Sequence, residues 1–311
     1  LQMEAEGVIC WDLQDTDDTF EFIAEHETKF DHIVLSRIEV AQAFLDREIL
    51  PKLRGKFHFD TVDLSFRRFA QEAQYAPSTA KIEEAEKRKD RYRRVITQAA
   101  STWVVSEPEA QEVATMVPGA KIEVVSNMMA AEVESAFPHP REGALFVGNF
   151  RHPPNQDAVR YLLEEILPLL LERRPDFRFY IAGSHSELLE SRAPHSNVQI
   201  LGHVPDLRAI YHTCRMVVAP LRIGAGVKGK INQALAFGVP VVGTSLAFEG
   251  MGIIDGDSGI VADTPEETAD KMSQLVDDDE LWMRLSAQGL KLQKRRFDPT
   301  VAASKLLEYL A

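Results

Sequence analysis

Short runs rich in Val and Ile alternate along this chain with longer stretches of helical periodicity. In the second half, these runs predict strands over Ala144–Gly148, Phe177–Gly183, Val198–Leu201, Met216–Pro220, Val239–Gly243 and Gly259–Ala262. The stretches between them predict helices over Asn155–Glu172, Leu207–Cys214, Lys230–Phe237, Pro265–Val276 and Glu280–Arg295. Because the strands are almost continuously apolar, helices must cover both faces of the sheet, which favours a parallel α/β arrangement.

The first half shows the same alternation less regularly. Its predicted strands are Gly7–Trp11, His32–Ser36, Phe57–Thr61, Thr102–Ser106 and Ile122–Ser126, and its predicted helices are Asp17–His26, Glu39–Arg47, Ala80–Ala99 and Glu107–Met116. A proline-containing segment, Ala130–Glu142, separates the two halves. We therefore expect two α/β domains, residues 1–140 and 141–297, and a last helix in residues 298–311 that could pack back on the first domain.

Charge and hydropathy exclude several classes of function. The 311 residues carry a formal net charge of −13, and because non-specific nucleic-acid binding needs a positive field, we expect no nucleic-acid partner. No uninterrupted apolar run of about 18 residues is present, so we expect no transmembrane helix. The two cysteines, Cys10 and Cys214, are too few for a disulfide scaffold or a zinc site. No signal-peptide pattern is found, and we expect a cytoplasmic location, which includes the inner face of the membrane.

The sequence F-V-G-N-F-R-H-P-P-N, Phe146 to Asn155, joins a predicted strand to a predicted helix. A helix N-terminus offers unpaired N–H groups and a partial positive charge, and both favour phosphate. Gly148 would let the backbone approach a ligand, and Arg151 adds a bidentate donor. Taken alone, however, this segment is explained better by an ordinary strand-to-helix turn that begins its helix with Pro153 and Pro154.

The segment Ala219 to Thr244 carries a stronger signal. A predicted strand is followed by the glycine-rich loop R-I-G-A-G-V-K-G-K and then by an apolar helix. The glycines would leave backbone N–H groups open beside two lysines, which is what a diphosphate needs. The loop also follows the carboxyl end of a strand, where open α/β sheets bind ligands. These features favour phosphate binding over a flexible surface loop with solvated lysines. The residues concerned are Gly224, Gly226, Lys228, Gly229 and Lys230.

Six segments, in this order, resemble the C-terminal domain of the retaining glycosyltransferases of family four, which have the GT-B architecture. They are F-V-G-N-F-R-H-P-P-N, F-Y-I-A-G-S, V-Q-I-L-G-H-V-P-D-L, V-A-P-L-R-I-G-A-G-V-K-G-K, A-L-A-F-G-V-P-V-V-G-T and E-G-M. In the first half, Phe59–Arg68, Trp103–Glu107 and Val124–Asn127 resemble a branch common in bacterial surface-polysaccharide synthesis. The resemblance implies two Rossmann-like domains whose parallel sheets face a cleft. It also implies metal-independent transfer of a sugar from a nucleotide-diphosphate sugar to a hydroxyl acceptor, with retention.

The resemblance further implies roles for individual residues. Arg151 and Lys228 would hold the donor diphosphate, the segment Gly202–Pro205 would lie against the base, and Gln233 would reach the ribose. The donor could be linked to UDP, GDP, ADP or dTDP, and no separate cofactor is expected. Besides the two diphosphate-binding residues, the expected donor-site residues are Gly148, Asn149, His203, Val204, Gly224, Gly226, Lys230 and Gln233.

The sequence departs from the family pattern at three positions. Gln233 stands where the family usually has a glutamate that binds the ribose hydroxyls, and an amide can form that hydrogen bond but lacks the charge. Ala225 stands where the family has its other glutamate. Asn149 replaces a phosphate-binding arginine, for which Arg151 could substitute. These departures leave open a second interpretation, a non-catalytic GT-B-like module that binds a nucleotide or glycan within a larger polysaccharide-synthesis protein.

The acceptor side is predicted less completely. Family members usually carry a glycine-rich loop in the first βα unit, and none precedes Gly7, so we expect the first domain to lack one or two such units. Asp60 and Asp63 follow a predicted strand at the mouth of the cleft, where a carboxylate could orient the hydroxyl of a glycan or lipid-linked glycan. The same carboxylates could instead cap the following turn or pair with Arg67 or Arg68.

Two further features are given a plain interpretation. The basic run Lys87–Arg94 could contact anionic lipid, but a solvated helix with ion pairs four residues apart explains it better. The histidines show no metal-ligand spacing, and no G-x-G-x-x-G turn follows a first strand. A metal site and a dinucleotide-dependent oxidoreductase are therefore disfavoured. A GT-B-shaped epimerase is disfavoured too, because it needs carboxylates and histidines that face the donor.

Overall fold

The computed structural model describes residues 16–75, 78–138, 141–192 and 195–310. Within these ranges ten strands form two sheets, and neighbouring strands in both sheets are parallel. The strands are β1 (Ile33–Ser36), β2 (Phe57–Asp60), β3 (Ser101–Val104), β4 (Ile122–Val124), β5 (Glu142–Val147), β6 (Phe179–Ala182), β7 (Val198–Gly202), β8 (Cys214–Ala219), β9 (Val241–Gly243) and β10 (Ile260–Val261). The predicted parallel α/β class is confirmed. The predicted strand Gly7–Trp11 lies outside the described residues.

The first sheet has the order β1-β2-β3-β4 and the second the order β10-β9-β8-β5-β6-β7. The helices are α1 (Thr16–His26), α2 (Ile38–Asp46), α3 (Ser65–Tyr75), α4 (Thr79–Ile96), α5 (Glu107–Met116), α6 (Pro153–Tyr161), α7 (Leu167–Arg173), α8 (Arg208–Thr213), α9 (Gly229–Ala236), α10 (Pro265–Asp277), α11 (Asp279–Arg296) and α12 (Pro299–Leu310). Among the described helices, none is long and apolar enough to cross a bilayer.

Two boundaries differ from the predicted ones because of proline. The single predicted helix Asn155–Glu172 is divided into α6, a π-helical turn at Leu162–Ile166 and α7. Pro168 lacks an N–H group and its ring clashes with the carbonyl four residues earlier, so the helix widens just before it. Strand β9 begins one residue after Pro240 rather than at the predicted Val239, since proline cannot donate to a strand ladder.

Each sheet has its own hydrophobic core. The first core is built around side chains that include Phe57, Phe59 and Tyr92, and the second around side chains that include Phe146 and Trp282. All five side chains are essentially removed from water. Burial of one large apolar side chain stabilises a fold by roughly 1.5–3 kcal/mol. The two separate cores are what divide the chain into two layered units.

The two units are joined at one end by the chain itself and by helix α12. The N–H of Met129, which lies between the units, donates to the carbonyl of Phe297 at 2.8 Å. Helix α12 then lies against the first sheet, where Lys305 Nζ donates to the carbonyl of Val124 at 3.0 Å. The ring of Tyr309 meets the ring of His58 edge-on, with their centroids 5.9 Å apart. The carboxyl ends of the second sheet therefore lie beside a cleft whose far wall is the first unit.

Candidate functional site

A cavity of about 380 Å³ lies at the carboxyl ends of β5, β6 and β7. This is the edge at which parallel α/β sheets place their ligands. Six residues that the sequence assigned to a donor site line the cavity: Gly148, Asn149, His203, Val204, Lys230 and Gln233. The remaining predicted residues lie elsewhere, on the rim or towards the first domain.

The wall of the cavity is bare backbone where three neighbouring strands end. Gly183 adopts a φ of +143°, and its N–H donates to the carbonyl of Gly202 at 2.8 Å. A Cβ on Gly183 would overlap the carbonyl of Gly148, so only glycine permits this approach of the two loops. The glycines consequently leave main-chain atoms of this wall uncovered by side chains of their own.

The loop after β5 is held by its own side chains. Asn149 Oδ1 accepts the N–H of Arg151 at 3.0 Å, and Asn155 Nδ2 donates to the carbonyl of Asn149 at 2.8 Å. Phe150 is fully buried and anchors the loop from below. Arg151 itself is exposed and lies in the chain between Asn149 and His152, which both line the cavity. Asn149 thus shapes the loop, while the side chain of Arg151 stays in solvent.

Lys230 stands at the first turn of α9 and lines the cavity. Its Nζ donates to Asn155 Oδ1 at 2.5 Å and lies 4.2 Å from the centroid of the Phe146 ring. Burial, and to a lesser degree the positive charge of Lys228, lower the pKa of Lys230 to about 7. No carboxylate of the described residues forms an ion pair with it. An ammonium group that is desolvated and lacks a counterion is a site for an anion.

Lys228 is buried on the other side of the same loop. Its Nζ donates to the carbonyl of Gly226 at 2.5 Å. Burial lowers the pKa of Lys228 to about 8, and Glu249 nearby opposes that change. The side chain is 9% exposed and does not line the cavity. The two lysines of the loop therefore serve different sides of it, which the sequence did not distinguish.

The glycine-rich loop lies against the first domain. The N–H of Gly224 donates to Gln71 Oε1 of α3 at 2.9 Å. One of the backbone N–H groups that the loop was expected to leave open is therefore engaged by the first domain. A Cβ on Gly226 would lie 3.4 Å from Asp63 Cβ and 3.6 Å from Glu109 Oε1. The structure thus brings the loop together with Asp63, which was predicted to lie on the acceptor side, across the cleft.

The two predicted acceptor-side carboxylates behave differently. Asp60 accepts the hydroxyl of Ser36 at 2.7 Å and the N–H of Val62 at 3.1 Å, so it stabilises the turn after β2. Val62 has a φ of +60°, which is strained for a β-branched residue. Asp63 emerges from this turn, and burial raises the pKa of its carboxyl. Asp63 is therefore the carboxylate closer to the glycine-rich loop.

Three glutamates near the cleft were not predicted as site residues. Arg67 NH2 lies 2.6 Å from Glu249 Oε1, and Arg67 Nε lies 3.1 Å from Glu112 Oε2, so one guanidinium links the two domains. Glu109 is fully buried, and its two oxygens accept backbone N–H groups of the first domain. Burial raises the pKa of Glu109 to about 7. Glu249 belongs to the motif E-G-M, whose position was the available signal.

Gln233 and His203 occupy the opposite end of the cavity. Gln233 Oε1 accepts the hydroxyl of Tyr211 at 3.1 Å. Tyr211 is fully buried and stacks on Phe237, with ring centroids 4.7 Å apart. His203 Nδ1 lies 3.5 Å from Ser184 Oγ, near the mouth. One of the two acceptor positions of the Gln233 carbonyl oxygen is thus used by a protein group.

No three His, Cys, Asp or Glu side chains converge as a metal site would require, within the ranges that the structure describes. On α4, Arg88 pairs with Glu84 at 2.8 Å and Arg93 pairs with Asp90 at 3.0 Å. These pairs agree with the interpretation of the basic run as a solvated helix.

Comparison with known proteins places this geometry in a family context. Residues 141–278 match the model of the family described as glycosyl transferases group 1. A protein of Klebsiella pneumoniae described as an uncharacterized 44.6 kDa protein in the cps region is 30% identical over 127 residues, which are 38% of this chain and 33% of that protein. The match therefore spans about a third of this curated relative.

Solved structures share the fold over most of the chain. The sucrose-phosphate synthase of Thermosynechococcus elongatus has a TM-score of 0.73 at 14% identity, over 94% of this chain and 76% of that one. Anabaena Alr3699/HepE in complex with UDP-glucose has a TM-score of 0.71 at 13% identity, over 94% and 81%. A glycosyltransferase from Rickettsia africae has a TM-score of 0.69 at 15% identity, over 99% and 86%. The expected GT-B fold is confirmed.

Proposed function

We propose that this chain transfers a glycosyl group from a nucleotide-diphosphate sugar to a hydroxyl acceptor. One observation carries the proposal. Lys230, a cation with no carboxylate partner among the described residues, faces a glycine-walled cavity at the carboxyl ends of β5, β6 and β7. The segment that contains this cavity is the one that matches the glycosyl transferases group 1 model.

The cavity suggests how the donor would lie. The diphosphate would contact Lys230 and the backbone beside Gly148, with Arg151 closing from the rim and Lys228 supporting the loop behind it. Val204 would face the base, and the amide nitrogen of Gln233 would reach the ribose. The Anabaena structure was obtained with UDP-glucose, which supports a UDP-linked donor among the four nucleotides that the resemblance allows.

The chemical task is to stabilise the departing diphosphate. The bond between the anomeric carbon and the diphosphate oxygen breaks, and a bond to the acceptor oxygen forms. Negative charge accumulates on the diphosphate as that bond breaks, and preorganised cations are most effective where water is excluded. A bound diphosphate would hold Lys230 in its charged form. We infer from this arrangement that the cationic side chains and the N-terminus of α9 supply the stabilisation without a metal.

The acceptor side completes the proposal. The proton released by the acceptor hydroxyl would pass to a carboxylate at the cleft, for which Asp63 is the candidate because burial raises its pKa. Retention of the anomeric configuration follows from the family resemblance. The resemblance to a surface-polysaccharide branch favours a glycan or lipid-linked glycan acceptor, which would place the reaction at the cytoplasmic face of the membrane.

A second candidate is a non-catalytic module that binds a nucleotide or glycan. The observation in its favour is the hydrogen bond from Tyr211 to Gln233 Oε1, which engages the group that would otherwise accept a ribose hydroxyl. Ala225, in the glycine-rich loop, also lacks the carboxylate that the family pattern has there.

Release of free nucleotide diphosphate distinguishes the two candidates. The chain would be incubated with UDP-, GDP-, ADP- and dTDP-linked sugars, with and without a mixture of glycan acceptors. We expect release with donors of one nucleotide, faster with acceptor, and strongly reduced by Lys230→Met but not by Lys271→Met, an exposed lysine on α10. Binding of a nucleotide without release from any donor would favour the module.

A further inference from the structure

The chain passes between the two domains twice, after β4 and again where α11 meets α12. A cavity of about 200 Å³ lies between these two crossings. Its polar lining consists of Glu107, Ser126, Arg295, Arg296 and Lys305. It shares no lining residue with the cavity at the ends of β5, β6 and β7, which we call the donor cavity after the function proposed for it.

We call this cavity, lined by Glu107, Ser126, Arg295, Arg296 and Lys305, the hinge cavity. Its charge is opposite in sign to the net charge of the chain. Three cationic side chains and one carboxylate line it, in a protein whose formal net charge is −13. Arg296 pairs with Glu107 at 2.5 Å. Lys305 donates to a backbone carbonyl, and Arg295 is exposed and forms no hydrogen bond or ion pair with the described residues. Two cations are therefore left without a carboxylate in a concave site.

A buried hydroxyl adds an independent observation. Ser126 Oγ is removed from solvent and has no hydrogen-bond partner in the described part of the chain. A buried polar group without a partner is unfavourable, and such groups in native proteins usually mark a missing partner. A tetrahedral oxyanion can accept from a hydroxyl, an ammonium and a guanidinium together.

We propose that the hinge cavity binds a phosphate group, either as inorganic phosphate or as a small phosphate monoester. Its oxygens would accept from Ser126, Lys305 and Arg295, with Arg296 as a further donor. The site lies where both connections between the domains meet. An anion there is therefore placed to influence the angle between them.

Arg296 connects the hinge cavity to residues on both sides of the cleft. Its guanidinium pairs with Glu107, the first residue of α5, which also carries the buried Glu109 of the cleft. The same guanidinium lies beside Gly252, where an added Cβ would overlap it. Gly252 belongs to the loop that carries Glu249, the cross-domain partner of the first domain. An anion that competes with Glu107 for Arg296 would act on both walls of the cleft.

Isothermal titration with inorganic phosphate and with glucose 6-phosphate, at constant ionic strength, tests the proposal. We expect binding that is weakened at least tenfold in the pair Arg295→Ala and Lys305→Ala. The single variant Arg295→Glu, at an exposed residue, should weaken it similarly without risk to the fold. The matched control is the pair Arg284→Ala and Lys291→Ala, at exposed positions on α11, the helix that carries Arg295. Tighter binding of glucose 6-phosphate would identify the ligand as a phosphate monoester, and tighter binding of inorganic phosphate would identify it as the free ion.

A second set of titrations tests whether phosphate binds in the donor cavity instead. Phosphate binding should be unchanged in Lys230→Met and in the presence of saturating nucleotide diphosphate. Binding that is lost in Lys230→Met but unchanged in Arg295→Glu would overturn the proposal, because phosphate would then occupy the donor cavity. No detectable heat with either ligand up to about 10 mM would overturn it as well.

Discussion

Replacement of Lys230 by methionine should stabilise the free protein while it weakens nucleotide binding. Methionine keeps most of the length and the apolar character of the side chain but removes the desolvated ammonium, which lies 4.2 Å from the centroid of the Phe146 ring. A lysine kept for structure would show the reverse, a loss of stability with unchanged binding. The opposite signs of the two effects are therefore a specific signature of a ligand-binding lysine.

The magnitude follows from the pKa of this lysine. Between the ordinary 10.5 and about 7, the charged form is disfavoured by about 5 kcal/mol. Because the folded pKa lies below the unfolded one, this penalty is complete below about pH 7 and is relieved as the pH rises towards 10.5. Water in the open cavity screens the charge, and the variant loses the hydrogen bond to Asn155. We expect a net gain of about 1–3 kcal/mol at pH 7.

Thermal unfolding at pH 7 without nucleotide measures the first effect, and titration with nucleotide diphosphate measures the second. The gain should raise Tm by about 2–5 °C. The lost charge-assisted hydrogen bond, roughly 1.5–3 kcal/mol, should weaken binding by about 10- to 150-fold. Lys271→Met, at an exposed residue, should change neither quantity. A lower Tm together with unchanged affinity would refute the reasoning.

Three further predictions concern backbone, pH and the domain contact. Gly183→Ala should lower the free energy of unfolding by more than about 3 kcal/mol, because its Cβ would overlap the carbonyl of Gly148. Gly256→Ala, which has open space at a φ of +69°, should lower it by about 1 kcal/mol. Urea unfolding measures both losses, and equal losses would contradict this reasoning. Affinity for nucleotide diphosphate should fall as the pH rises above 7, because the pKa values of Lys230 and Lys228 are lowered to about 7 and about 8 and binding would take up protons. Titration in buffers of different ionisation enthalpy measures this proton uptake. Constant affinity from pH 6.5 to about 9 would exclude it. Arg67→Ala leaves two half-buried carboxylates without their common partner and should cost about 1–3 kcal/mol in urea unfolding, which a change below about 0.5 kcal/mol would disprove.

The second domain was predictable because its strands and helices repeat with little interruption. Strands such as Val198–Gly202 and helices such as Pro265–Asp277 have boundaries within a residue or two of those predicted. Apolar periodicity reports burial directly, so it locates such elements without an alignment. Helix α3 was missed because the segment after Asp60 was interpreted as a loop motif at the mouth of the cleft.

The division of labour between neighbouring side chains was not predictable. Lys228 and Lys230 are two residues apart, yet Lys230 lines the cavity at the ends of β5, β6 and β7 and Lys228 faces the first domain. Which side each takes depends on where α9 begins and on what packs against it. The contacts of Gln71 with Gly224 and of Arg67 with Glu249 join residues more than 150 positions apart. Such contacts depend on how the two domains meet, and no local pattern reports that.

Titration of the free protein with UDP, GDP, ADP and dTDP tests the central claim most directly. The account predicts that one of these nucleotides binds clearly more tightly than the others, with its affinity reduced at least tenfold by Lys230→Met. Equal weak binding of all four, or binding that Lys230→Met leaves unchanged, would contradict the assignment of the cavity at the ends of β5, β6 and β7 as the donor site.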